Sequence, residues 1–120
     1  MRRTHPKPNK YKAQPVELDG YKFDSKREAY RYSELKILQR HGKISNLCMQ
    51  LRYPLKCGDK VLMIKSDGFP NGRRATYIAD FVYEQDGETI IEDVKGMATP
   101  VYKLKKAIME AMGYTIREIR

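Results

Sequence analysis

The sequence predicts a single α/β domain built on a central mixed sheet flanked by helices, and three observations predict it. Apolar residues alternate with period two near 44–56, 77–83 and 88–95, which marks strands. Two stretches with helical spacing bracket them, one from about 25 to 41 and one from Thr99-Pro100 to Gly113. A last strand, 114–119, follows the second helix, and a strand–helix–strand connection brings its ends together as a parallel pair by a right-handed crossover. The order is helix, three strands, helix, strand.

The first fourteen residues differ from the rest. Arg2, Arg3, Lys7, Lys10 and Lys12 supply five positive charges before the first acid, Glu17, leaving +4 of the net +9 to the remainder. With three prolines by position 15 and few apolar residues, 1–14 reads as a disordered basic arm and 15–120 as one domain. Such an arm either contacts phosphates without sequence selectivity or serves as a solubilising tail.

Val16–Phe23 alternates weakly around Asp19-Gly20, a small hairpin or extended entry. In DSKREAYRYSELKILQRHG, Ser25 with Glu28 three residues on is a capping-box pattern, and Gly42 is a C-terminal stop. The apolar stripe runs through Tyr32, Leu35 and Leu38, and Glu28 heads that face. Glu28 can serve as the cap of its own helix or as a functional acid, and the two readings compete for one side chain. Leu47, Met49, Leu51 and Tyr53 stand two apart, as in a half-buried strand ending before Pro54. Residues 57–72, with three glycines and a proline, read as a turn-rich connection holding at most a short strand at Val61–Lys65. In the second helix Val101, Leu104, Ile108 and Met112 recur at helical spacing and predict its buried stripe, with Lys103 and Lys106 off it.

The chemistry concentrates in YIADFVYEQDGETIIEDVK, residues 77–95. Asp86-Gly87 is a hairpin signal between two strands, so Asp80 on the first can face Asp93 on the second. Residues two apart share a face, which makes Asp93 and Lys95 neighbours and sends Glu92 the other way. Two close carboxylates in a partly apolar site repel unless protonated or bridged by a cation, and a hard ion such as Mg²⁺ resolves the repulsion. The competing reading is of exposed strand-end acids beside a surface lysine.

Composition narrows the function. At 120 residues, 41% hydrophobic and 32% charged, the chain has the balance of one soluble domain. No apolar run approaches the roughly 18 residues that span a bilayer, and the start MRRTHPKPNK offers no secretory signal, so a cytoplasmic protein without a membrane partner is expected. Cys48 and Cys57 lack metal-ligand spacing, and neither His5 nor His41 completes a cluster, which argues for reduced thiols. The charge of +9 points to a polyanionic partner.

The element order, with an acid in the second core strand and acid-x-lysine in the third, resembles the PD-(D/E)xK nuclease superfamily over about residues 17–119. FDSKREAYRYSELK and ADFVYEQDGETIIEDVKG look similar to a phage-encoded branch of that superfamily with likeness to Holliday-junction resolvases. The resemblance implies a restriction-endonuclease-like αβββαβ core. It makes Asp80 and Asp93 ligands of Mg²⁺, with Mn²⁺ as substitute, Lys95 the group that orients or activates the attacking water, and Glu28 an auxiliary acid. It implies no organic cofactor. Two departures stand out: Ala79 replaces the proline of the motif's name, and Asp93 is the shorter acid.

The expected function is divalent-metal-dependent endonucleolytic cleavage of DNA, on branched or recombination-intermediate substrates in a phage setting, with a homodimer suited to cutting symmetric strands. Lys103, Lys105 and Lys106 are candidate phosphate contacts or a solvated helix face, and Tyr102 is a candidate neighbour of the site. The alternative is a non-catalytic DNA-binding or phage accessory protein on the same fold.

Overall fold

A computed structural model describes residues 15–120. The basic arm expected over 1–14, with Arg2, Arg3, Lys7, Lys10 and Lys12, lies outside the described residues.

Two turns show how local chemistry sets the entry and the centre of the chain. Strands β1 (Val16–Leu18) and β2 (Tyr21–Phe23) join through Asp19 and Gly20, with φ of 54° and 80°. Strands β8 (Thr76–Gln85) and β9 (Glu88–Val94) join through Asp86 and Gly87, with φ of 52° and 80°. Consecutive positive φ values are what a two-residue type I′ hairpin requires, and Asp-Gly adopts them at little steric cost. Between these hairpins lie helix α1 (Lys26–Arg40) and strands β3 (Ser45–Pro54), β4 (Lys56–Cys57), β5 (Lys60–Val61), β6 (Met63–Ser66) and β7 (Phe69–Arg74). Helix α2 (Pro100–Ala111) and strand β10 (Ile116–Ile119) complete the chain.

The central sheet has four strands in the order β10-β9-β8-β3, with β10 parallel to β9 and the other pairs antiparallel. The fold is therefore mixed α/β around a mixed sheet, with one helix for each of two core clusters. On the α1 side, Ala29, Tyr32 and Leu35 pack with Phe23, Phe81 and Tyr83. On the α2 side, Tyr102 and Met109 pack with Tyr77, Ala79, Val82 and Ile91. Strand β9 alternates between them, Ile91 in one cluster and Ile90 and Val94 in the other. Strand β8 does not alternate throughout. Tyr77 and Ala79 belong to the α2-side core, whereas the equally odd-numbered Phe81 and Tyr83 belong to the α1-side core, so the strand changes sides at Asp80.

Two expectations need correction. Residues 57–72 are not a loop: they belong to two small antiparallel hairpins, β4–β5 and β6–β7, each its own two-stranded sheet. Their glycines and proline masked the strands because the pairing is local and turn-rich. The buried face of α2 is also not the predicted stripe. Val101 and Leu104 are 63% and 64% exposed, whereas Tyr102 and Met109 are buried. The helix is rotated so that the Tyr102 ring covers Lys95 and its hydroxyl reaches Glu118, and that rotation leaves Val101 and Leu104 outside. Among the described residues no helix is long and apolar enough to cross a membrane.

Phe81 is fully buried in the α1-side core, next to the point where β8 changes sides. Phe81→Ala is expected to lower stability by about 3–5 kcal/mol in urea unfolding, the cost of an unfilled aromatic cavity; a loss under about 1 kcal/mol would show that the site collapses around the gap.

Candidate functional site

The β8–β9 ladder runs from Gln85–Glu88 to Phe81–Glu92 and goes no further. Where it stops, a side chain takes over: Asp80 Oδ2 accepts the Val94 N–H at 2.8 Å. This substitution explains how the strands part without leaving a buried donor unsatisfied.

Asp93 and Lys95 sit on the β9 side of the fork, two residues apart and in contact as period-two alternation predicts. Asp93 is buried; Tyr77 Oη donates to its Oδ2 at 2.6 Å, and Lys95 Nζ lies 2.9 Å from its Oδ1. The Lys95 ammonium also stands 3.6 Å from the centre of the Tyr102 ring, a cation–π contact that holds it without neutralising it. Tyr102 in turn donates to Glu118 Oε2 at 2.8 Å, and Lys106 and Arg120 pair with the same carboxylate at 3.2 and 2.9 Å. The Tyr102 hydrogen bond, more than any other contact, holds Glu118 below the usual carboxylate range. Burial and the bonds to Glu118 and Asp93 push the Tyr102 and Tyr77 phenols, respectively, upward.

Glu28 enters from the first turn of α1. Ser25 Oγ accepts the Glu28 N–H at 3.2 Å, one half of a capping box, but the Glu28 carboxylate does not return the bond to Ser25. Its Oε2 accepts from Gln50 Nε2 at 2.9 Å. The capping role expected of the Glu28 side chain is therefore not formed: Ser25 caps the helix through the Glu28 N–H, and the Glu28 carboxylate turns to Gln50 instead. Gln50 stands opposite Asp80 on β3, between the Met49–Phe81 and Leu51–Ala79 pairs, and has a left-handed φ of 56°. That local twist breaks the expected inward run, leaving Leu51 38% exposed.

Glu28, Asp80, Asp93, Lys95, Tyr77 and Tyr102 all line one cleft of about 750 Å³. Arg27 and Lys105 line it as well, and Arg27 Nη1 donates to the Lys95 carbonyl at 2.8 Å. Burial pushes the Glu28 carboxyl up to about 8, with Asp80, Asp24 and Asp93 adding repulsion. Burial, then the Asp93 charge, raises Asp80 to about 7. The acids are thus close enough to oppose one another's ionisation. Two hard-oxygen carboxylates at the fork, with a third beside them, suit a hard divalent cation in chemistry. As the side chains stand, no group of three or more His, Cys, Asp or Glu among the described residues is arranged to hold a metal ion.

The remaining sequence candidates divide. Lys103 is exposed and outside the cleft lining, Lys106 is tied to Glu118, and Lys105 is the one of the three that lines the cleft. Glu92 faces away, as its position implied. It is fully buried, held by Arg31 Nε and Nη2 at 2.8 and 2.6 Å and by the Tyr83 hydroxyl. Burial and the bond to Glu92 push the Tyr83 phenol up to about 12. Cys48 and Cys57 are exposed free thiols. Gln50 and Tyr77 escaped the sequence reading. Gln50 depends on a left-handed residue that no pattern announces, whereas Tyr77, three residues before Asp80, lay within the stretch already under suspicion.

Fold and site together define a mixed-sheet α/β domain with an acidic, lysine-bearing cleft at the fork of two central strands. The chain belongs to the DUF1064 family, described as proteins of unknown function, whose model matches residues 8–120. No curated protein and no solved structure matches it.

The raised carboxyls set a pH dependence for the metal-free protein. Glu28 and Asp80 bind protons more tightly folded than unfolded, so their contribution to stability is greatest below their ordinary values near 4 and is lost as pH rises through about 7 to 8. The thermal midpoint is expected to fall between pH 5 and pH 8 in chelator, and less steeply in the Glu28→Gln/Asp80→Asn double variant. Equal slopes for the two proteins would show that these carboxyls ionise freely in the fold.

Proposed function

We propose that the protein is a divalent-metal-dependent endonuclease that hydrolyses phosphodiester bonds in DNA, on a restriction-endonuclease-like core of the PD-(D/E)xK type. The observation that carries this reading is the pairing at the strand fork of a half-buried Asp80 with a buried Asp93, with Lys95 ion-paired to Asp93. An acid pair that repels itself in the interior is costly to fold and has a purpose if a cation occupies it. The sheet order, with α1 and β3 before the hairpin and α2 and β10 after it, supports the reading, as does the net charge of +9.

On this reading Asp80 and Asp93 hold Mg²⁺ or Mn²⁺, and Glu28 joins them directly or through water. When bound there, such an ion would supply charge neutralisation at the phosphate oxygens and acidify a water for attack. The chain's own groups do the rest. Tyr77 fixes one oxygen of Asp93 by hydrogen bonding, which sets the carboxylate's orientation. Lys95, held between Asp93 and the Tyr102 ring, stands ready to hydrogen-bond an attacking water and to steady negative charge gathering on the phosphoryl oxygens. Gln50 steers the Glu28 carboxyl. Lys105 and Arg27 give the cleft wall positive charge for a polyanionic substrate. Branched or recombination-intermediate DNA in a phage setting, and a homodimer to cut it symmetrically, belong to the same proposal.

The test is cleavage of supercoiled, linear and branched DNA with Mg²⁺ or Mn²⁺. Wild type is expected to cleave and Asp93→Ala to lose activity, while Lys95→Ala loses on the order of 10²–10³-fold in rate, as for removal of one group that stabilises developing charge. Activity equal in wild type and Asp93→Ala, or salt-sensitive DNA binding with no cleavage under any divalent ion, would instead favour a non-catalytic DNA-binding protein. Tyr77→Phe is expected to weaken Mn²⁺ binding by about 10–100-fold, the range for partners that orient a metal-ligating carboxylate; unchanged affinity by calorimetry would remove Tyr77 from the site.

A further inference from the structure

We propose that the β6–β7 ribbon, Met63–Arg74, is a DNA-gripping arm whose Lys65, Arg73 and Arg74 contact the phosphate backbone of duplex DNA leading into the cleft. The inference rests on the DNA-directed reading above and extends it to a surface outside the site.

The ribbon is a two-stranded sheet of its own, separate from the central sheet. A lone hairpin is marginally stable in water and ordinarily buries one face. Here both faces are open. By the register, Met63 and Arg74 share one face and Ile64 and Arg73 the other, and all four are exposed, as are Lys65 and Phe69. Arg73 lies over the Phe69 ring, 5.3 Å from guanidinium to ring centre, a cation–π contact that leaves its charge unneutralised. Three cations stand against one acid, Asp67, and among the described residues none of the three forms a salt bridge.

Its position ties it to the cleft. The root is pinned by a ring of backbone hydrogen bonds among Leu55, Leu62 and Ala75, each 2.8–2.9 Å, and Leu55 and Ala75 are buried. Strand β7 then passes almost directly into β8. Arg74 precedes Tyr77, a cleft-lining residue, by three positions, no more than about 10 Å of extended chain. The fork also opens at this end of β8, beyond the last pair with β9 at Phe81. The root of the ribbon therefore lies at the same end of β8 as the acidic cluster.

Charge decides among occupants. A second copy of this chain would bring a net +9 molecule against a positive ribbon, whereas the DNA backbone carries the opposite charge at every phosphate. The exposed Ile64 and Phe69 add apolar surface suited to sugars and base edges, and a two-stranded ribbon is narrow enough for the major groove.

The test is fluorescence anisotropy of a labelled 30-base-pair duplex with the full chain in EDTA, which prevents cleavage, across a salt series. The Lys65→Gln/Arg73→Gln/Arg74→Gln variant is expected to bind at least about 10-fold more weakly, and the slope of log affinity against log salt should shrink by about 2–3, near 0.9 per lost phosphate contact. Arg74→Gln alone should shrink it by about 0.9. A control removing equal charge at Lys36, Arg40 and Lys43, toward the opposite end of α1, should change the slope by less than one. Slopes equal in the ribbon and control variants would overturn the proposal, as would loss of a dimer in sedimentation by the ribbon variant with its slope unchanged. The two readings fail separately: wild type that cleaves DNA but shows no ribbon effect sinks the arm alone, and a ribbon effect without cleavage sinks the nuclease alone.

Discussion

The structure turns on the parting of β8 and β9 at Asp80 and Asp93. Up to Phe81–Glu92 the two strands satisfy each other's backbone groups; beyond it, the Asp80 carboxylate accepts the Val94 N–H and lets the strands separate without an orphan donor. The gap is what admits the Glu28 carboxyl from α1 and exposes three acids to a common cleft. It also coincides with the switch of β8 from one core to the other, Ala79 in the α2-side cluster and Phe81 in the α1-side cluster. One local device thus shapes both the packing and the site, and it concentrates mutually repelling acids in one cleft.

Strand β9 separates two kinds of buried acid by a single residue. Glu92 faces α1 and is fully paired, to Arg31 through two hydrogen bonds and to the Tyr83 hydroxyl, so its charge is answered within the fold. Asp93 faces the cleft and is answered by Tyr77 and by Lys95, whose ammonium is only partly buried and also leans on the Tyr102 ring. A buried ion pair held by three hydrogen bonds locks two elements together, here α1 and the sheet. An ion pair at a cleft wall can exchange partners. Period-two alternation alone puts these two behaviours next to each other.

Much of this was legible in the sequence because it follows from short-range rules. Ser25 capped α1, Asp19-Gly20 and Asp86-Gly87 made tight hairpins, and the final strand paired parallel to β9 after a helical crossover. The neighbourhood of Asp93 and Lys95 followed from their spacing. What escaped depended on tertiary context. Val101, Leu104, Ile108 and Met112 have the spacing of a buried stripe, yet α2 rolls to satisfy Tyr102 and Lys95 and leaves the first two in solvent. The strands within 57–72 pair only with each other, so their alternation is too short to register against so many turn residues. Gln50 reaches Glu28 from a left-handed position on a strand, a conformation that residue type does not signal.

The central claim is that the Asp80–Asp93 pair, with Glu28 beside it, is a divalent-cation site. Anomalous diffraction from crystals soaked in Mn²⁺ tests it most directly. The account predicts one or two anomalous peaks bridging the Asp80 and Asp93 carboxylates, with Glu28 turned toward them directly or through a water and Lys95 left unligated. Saturating Mn²⁺ with no peak at the fork, and the three carboxylates unmoved, would contradict it.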